Sequence, residues 1–100
     1  MEITHIRKRD FSVKPFDLNN ITNAVFKALS AVNSGTQQDA QNVALAVYKT
    51  LMKRREIDPN YIPTIEQVQD IVENKLMETE FHEAAKAYIL YRNQRAVERK

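Results

Sequence analysis

Four cations crowd the start of the chain: Arg7, Lys8, Arg9 and Lys14, against only Glu2 and Asp10. Guanidinium and ammonium groups at this density suit an anion, phosphate above all. If the segment is a strand, alternation sends Arg7 and Arg9 to one face and Lys8, with Ile6, to the other. A hairpin laid against a helix start would then bring at least one cation and one apolar residue toward free backbone N–H groups and the positive end of the helix dipole. Both favour phosphate. Ile6 or Phe16 above such an anion site could sandwich a base. A plainer reading of the same residues is that they keep an edge strand soluble and block strand pairing.

Arg92 is the second unusual cation. It falls three residues after Ile89 and seven after Ala85, on the core side of a helix. An arginine there must pair with an acid, snorkel to solvent or hold a ligand. The acids Glu66, Asp70 and Glu73 share one helix surface and read as a solvated face rather than a catalytic pair. His5 and His82 have no ligand-like neighbours at helical spacing, so no metal site is expected. Tyr88 and Tyr91 read as core and rim aromatics. No Ser/His/Asp spacing suggests a nucleophile.

Composition narrows the chemistry further. The chain has no cysteine, which removes disulfides, thiolate metal sites and cysteine nucleophiles and fits a cytoplasmic protein. Gly35 is its single glycine, so neither a P-loop nor a dinucleotide loop can form. Phosphates would have to be held by side chains and helix ends. A net charge of +2 falls short of the strong basic patch expected of a nucleic-acid binder. A hydrophobic share of 43% fits one globular domain over residues 1–100. No apolar run is long enough to span a bilayer, and the first residues do not read as a signal peptide.

The elements that must position these residues follow from periodicity. Residues 3–16 read as a β-hairpin with its turn near Asp10 and Ser12, and Pro15 marks the second strand as an edge. Asp17 caps a first helix over about 18–32, with Ile21, Ala24, Val25, Ala28, Leu29 and Val32 on one face. Asn33-Ser34-Gly35 ends it, with glycine past the last turn. Thr36 and Asp39 open a second helix over about 36–54, inner face Ala40, Val43, Ala44, Val47 and Leu51. A loop runs from about Glu56 to Pro63. Thr64 and Gln67 form a capping box for a third helix over about 64–78, with stripe Val68, Ile71, Val72 and Leu76. A fourth helix, about 81–97, turns Ala85, Ile89, Arg92 and Ala96 inward, with Tyr88 beside them. The expected fold is α+β, mainly α: an N-terminal β-hairpin lid on a four-helix bundle.

Three segments together resemble the ATP-cone family. They are Ile6-Arg7-Lys8-Arg9-Asp10 with Pro15-Phe16-Asp17, Ile21, Ala24 and Phe26-Lys27-Ala28; Ile62-Pro63-Thr64 with Val68 to Glu73; and Ala85 to Arg92 with Arg95. Their order and separation cover nearly the whole chain. The resemblance implies allosteric binding of ATP or dATP, with Mg2+, by a regulatory domain that is not itself an enzyme. Lys8 and Arg9 would contact phosphates. Ile6, Phe16 and Ile21 would wall the adenine, Thr64 would lie near base or ribose, and Arg92 or Arg95 would approach from the last helix. Two positions depart from the family pattern. Its turn glycine is Phe11 here, where a positive φ would be costly. Its lysine before the helix isoleucine is Asn20, and Lys14 is placed to supply that charge. The candidate nucleotide-binding set is thus Ile6, Arg7, Lys8, Arg9, Lys14, Phe16, Asn20, Ile21, Thr64, Arg92 and Arg95.

The tail from Ala85 to Arg99 looks most like an anaerobic (class III) ribonucleoside-triphosphate reductase, with this module at its front. Met1 leads straight into the hairpin without a cysteine-rich zinc ribbon, which argues against the transcriptional repressors that carry the same module. The implied partners are adenine nucleotides and the catalytic domain or other subunits of the parent reductase, in an effector-dependent oligomer, with neither membrane nor nucleic acid. ATP would permit activity and dATP shut it off. Two alternatives stay open. One is a small basic module binding nucleic acid or protein through Arg7, Lys8, Arg9, Lys14, Arg95, Arg99 and Lys100. The other is a cone that has lost nucleotide binding.

Overall fold

The computed structural model describes residues 3–98, with side chains through Gln94. Its elements are β1 (His5–Arg7), β2 (Val13–Pro15), α1 (Leu18–Ala31), α2 (Gln37–Ile57), α3 (Ile65–Glu78) and α4 (His82–Glu98). The α+β architecture, a short hairpin on four helices, is the one the periodicity predicts. The helices form a closed square: α1 packs on α2 and α4, and α3 completes the other side by packing on the same two.

Caps set most helix starts. Asp17 accepts the Asn19 N–H. Thr36 with Asp39 and Thr64 with Gln67 form complete capping boxes, each satisfying donors that the first turn leaves free. The core is made by Val25, Leu29, Val47, Leu51, Val72 and Leu76, all essentially inaccessible to solvent. Truncating any of these leucines to alanine would cost about 2–5 kcal/mol.

Four expectations need correction. The residue that ends α1 in the left-handed region is Asn33, at φ 49°, not Gly35. The Ser34 N–H donates to Leu29 O and the Asn33 N–H to Ser30 O, the paired bonds of a Schellman end. Gly35 serves close packing instead: a Cβ there would lie 3.1 Å from both Leu29 and Asp39. α2 runs past residue 54 to Ile57, because Lys53-Arg54-Arg55-Glu56 are good helix formers and the arginines suit the negative helix end. Asp58, before Pro59, then stops it. On α4, Ala84, Ala85 and Tyr88 are the buried residues and Ile89 is only half-buried. Contact with both α1 and α3 widens the inner face beyond a single stripe; Ala96 lies outside the described side chains. Finally, β1 ends at Arg7, so Lys8 and Arg9 belong to the turn and not to an alternating strand.

The hairpin register pairs His5 with Pro15, Ile6 with Lys14 and Arg7 with Val13. Lys8 O accepts from the Phe11 N–H, and the Lys8 N–H donates to Ser12 O. This is a three-residue loop whose last residue takes the left-handed region. That residue is Phe11, at φ 69° and 78% exposed. A hydrogen bond from Arg7 Nη1 to Phe11 O, 3.0 Å, and bonds from the Ser12 amide and hydroxyl to the Asp10 carboxylate hold the loop. The bonds from Ser12 also hold the Asp10 carboxyl below its usual range.

Arg92 bridges α4 to α3. Its Nη1 lies 2.7 Å from Glu73 and 2.8 Å from Asp70. The solvated acidic face is therefore partly an ion-pair surface, and the structural reading of Arg92 holds. Burial alone would lower the arginine's pKa, but the hydrogen bonds to Glu73 and Asp70 outweigh it and raise the pKa.

Substitutions at Phe11 and Arg92 check these points. Phe11→Gly relieves the left-handed strain while giving up little buried surface. It is expected to add about 1 kcal/mol and roughly 4 °C to the melting temperature, whereas β-branched Phe11→Val should lower it. A drop with glycine in a thermal melt would contradict the strain. Arg92→Met should cost about 1–3 kcal/mol in denaturant titration, mostly through half-buried Glu73. The loss should shrink in a Glu73→Gln background, and strict additivity would show that the pair is not coupled.

Candidate functional site

A concavity with converging polar groups lies between hairpin and bundle. It has a volume of about 400 Å³, within the range of small-molecule sites. The hairpin roofs it. Ile6 and Lys14 are cross-strand partners and share a face with Phe16, and all three line the cavity. Three contacts hold the roof down. Ile3 is buried in the core, Phe16 packs on Tyr48 of α2 with ring centroids 5.8 Å apart, and the free edge of β1 bonds to the start of α3. In that last contact the Arg7 N–H donates to Pro63 O at 2.8 Å, and Arg7 bridges Thr64 in parallel.

α1 forms one wall through Asp17, Asn20, Ile21, Asn23, Ala24 and Lys27, and α3 contributes Ile65, Val68 and Gln69. Tyr88 and Tyr91 of α4 close the far side, their rings 6.4 Å apart. Burial pushes the Tyr88 phenol well above its usual range, so it stays neutral. Lys27 Nζ stands 5.8 Å from the centre of the Tyr91 ring. Gln69 Oε1 is closed off from water without a hydrogen-bond partner, a buried acceptor left unsatisfied on the cavity wall.

Of the residues singled out from sequence, the cavity brings together Ile6, Lys14, Phe16, Asn20 and Ile21. The others stand elsewhere. Arg7 reaches over the turn to Phe11 O. Arg9 pairs with Glu66 at 2.9 Å, tying the hairpin tip to α3. Lys8 is exposed on the turn. The Thr64 hydroxyl accepts from the Gln67 N–H as a helix cap. Arg92 faces the α3 acids, and the Arg95 side chain lies outside the described residues. The start of α1, expected to attract phosphate, already holds the Asp17 carboxylate against the Asn19 N–H. The cations that line the cavity are Lys14 and Lys27. Sequence reasoning missed Lys27 and Gln69 as wall residues and left Tyr91 as a rim aromatic. The spacing of seven from Asn20 to Lys27 was the available signal, since it returns to the same helix face. Among the described residues, no group of three or more His, Cys, Asp or Glu side chains is arranged to hold a metal. No described helix is long and apolar enough to cross a membrane.

Comparison with known proteins fits this architecture. The chain is 39% identical over 98 residues to a vitamin B12-dependent ribonucleoside-diphosphate reductase of Thermoplasma acidophilum, covering 93% of this chain and 12% of the relative. It is 39% identical over 94 residues to an anaerobic ribonucleoside-triphosphate reductase of Haemophilus influenzae, covering 92% of this chain and 12% of the relative. The Escherichia coli anaerobic reductase is 33% identical over 95 residues, 95% of this chain and 12% of that enzyme. The chain thus spans about an eighth of the length of these curated relatives. The family model for the ATP cone domain matches residues 4–97. A match that begins beside the buried anchor Ile3 and runs nearly to the end of α4 takes in every element that walls the cavity, and on that ground the chain belongs to the ATP-cone domain family.

Proposed function

We propose that the chain is an allosteric module that binds ATP or dATP, with Mg2+, in the cavity beneath the hairpin and thereby controls the overall activity of a ribonucleotide reductase. The observation that carries this reading is the composition of one cavity: apolar and aromatic walls from Ile6, Phe16, Ile21 and Tyr91 beside lysines at positions 14 and 27. Such a cavity can take a base at one end and phosphates at the other. The unsatisfied Gln69 oxygen, closed off from water as it stands, would on turning into the cavity offer an acceptor to an exocyclic amine, which adenine presents and guanine replaces by a carbonyl at the same ring position. Arg7, Lys8, Arg9, Thr64 and Arg92 would join the site only after rearrangement.

The rival reading, a basic interaction surface, is weakened because Arg9 and Arg92 already sit in ion pairs. For the parent enzyme, the tail sequence favours the anaerobic class. Equal identity to a vitamin B12-dependent reductase makes a ribonucleotide reductase of either class the assignment carried forward. ATP and dATP differ by one hydroxyl. An effector shifts an equilibrium only by its differential affinity for two states. The output is therefore assigned to altered contacts with the catalytic domain or other subunits, with effector-dependent oligomers.

Titration calorimetry with MgATP, MgdATP, MgGTP and a short DNA tests the reading. Adenine nucleotides should bind with GTP far weaker, and at a hundredfold excess over Kd they should stabilise the fold by about 2.7 kcal/mol. An unchanged melting temperature with ATP and dATP, or steeply salt-dependent binding of DNA alone, would defeat it. A second measurement concerns Asp17. Asp17→Ser keeps a helix cap and removes the one carboxylate among the described cavity-lining residues, so ATP affinity should rise by roughly 2- to 5-fold at low salt. A fall in affinity would place Asp17 among the favourable contacts instead.

A further inference from the structure

The cations around the cavity fall into two sets, and this inference rests on the nucleotide reading above. Arg7 is spent on the turn carbonyl of Phe11, Arg9 on Glu66, and Arg92 on Asp70 and Glu73. Lys14 and Lys27 both line the cavity, and neither forms an ion pair among the described residues. Lys27 follows Asn20 by seven residues on the same face of α1, about 10 Å along the helix. Helical side chains lean toward the N-terminus, so a lysine at this position has a rotamer that extends along the wall toward Asn20 and the hairpin. Among the described residues its ammonium contacts the face of Tyr91, a weaker attachment than a charge-assisted hydrogen bond to a phosphate oxygen.

We propose that Lys27, rather than a hairpin arginine, is the principal phosphate ligand of this site, leaving the Tyr91 ring as phosphate enters, with Lys14 closing from the hairpin side. The arrangement needs no existing ion pair to break. It also places the positive charge on the α1 wall ten residues beyond Asp17, roughly 15 Å along the helix from the helix-start carboxylate.

The test compares wild type, Lys27→Met, Lys27→Gln and Lys27→Arg by calorimetric titration with MgATP and with adenosine, folding being checked by thermal melts. Methionine keeps the aliphatic stem against Tyr91, and glutamine is a second charge-free replacement. ATP affinity should fall by about 10-fold or more in both, as expected for one lost charge-assisted bond. Adenosine affinity should change by less than about 2-fold, and Lys27→Arg should retain most of the ATP affinity. Unchanged ATP binding in the Met and Gln variants, while wild type binds ATP, would overturn the role of Lys27 and leave the nucleotide reading standing. Equal losses for ATP and adenosine would overturn it too, by making Lys27 a wall of the base. Failure of wild type to bind ATP would remove both.

Discussion

A hairpin with strands of three residues cannot hold itself together in water. Here it exists because its first strand has a second neighbour. The Arg7 N–H donates to Pro63 O, so the second edge of β1 is met by a single parallel bridge from the residues before α3. Everything about the cavity depends on that junction. The roof, Ile6 with Lys14 and Phe16, is positioned by the register of the hairpin, and the hairpin by residues 63 and 64. Pro63 suits the place, because it gives a carbonyl and has no N–H left to satisfy. The junction is braced from behind. Tyr61 accepts from Arg54 through its hydroxyl and donates to Gln67 Oε1, while Arg55 donates to Tyr61 O. The end of α2, the capping box of α3 and the roof are thus joined in one hydrogen-bonded sequence.

Electrostatics divides labour between arginines and lysines. The arginines use their forked, always-charged heads to tie elements together: Arg9 joins turn to α3, Arg92 joins α4 to α3, and Arg7 steadies the turn. Lys14 and Lys27, point charges on flexible stems, remain at the cavity. This follows from the chemistry of the groups, since a guanidinium gains most where two acceptors can be met in a fixed plane. The rival to a bound anion is internal as well. Asp17 caps α1 with a carboxylate, so the helix start that would attract phosphate is already answered by the chain.

Much of the bundle was legible in the sequence. The inner faces of α1, α2 and α3, the Thr36 and Thr64 caps and the hairpin all followed from periodicity and local hydrogen-bonding chemistry. Helix ends were less so: Asn33 took the left-handed position expected of Gly35, and α2 ran on until Pro59 intervened. On α4 the pattern failed because two neighbouring helices share its inner side. Ile6 and Phe16 could be placed near the cavity from the hairpin argument, while Asn20 and Ile21 entered only through the resemblance to the ATP-cone family. Lys8 and Arg9 could not be placed, because β1 ends at Arg7 and leaves them in the turn. There their direction depends on partners such as Glu66, far away in sequence. Lys27 was hidden among exposed polar positions, and only the approach of α4 makes its surroundings a cavity wall.

The left-handed Phe11 has a meaning beyond local geometry. Its cost exists only while the turn is formed, so it narrows the free-energy gap between the seated hairpin and a frayed one. The hairpin is thereby set apart from the bundle as the segment that opens most readily, while the core of Leu29, Leu51 and Leu76 remains intact. For any ligand that requires the roof in place, apparent affinity scales with the fraction of molecules whose hairpin is seated. A single side chain at the tip, touching no ligand, therefore acts as a setting on the sensitivity of the whole domain.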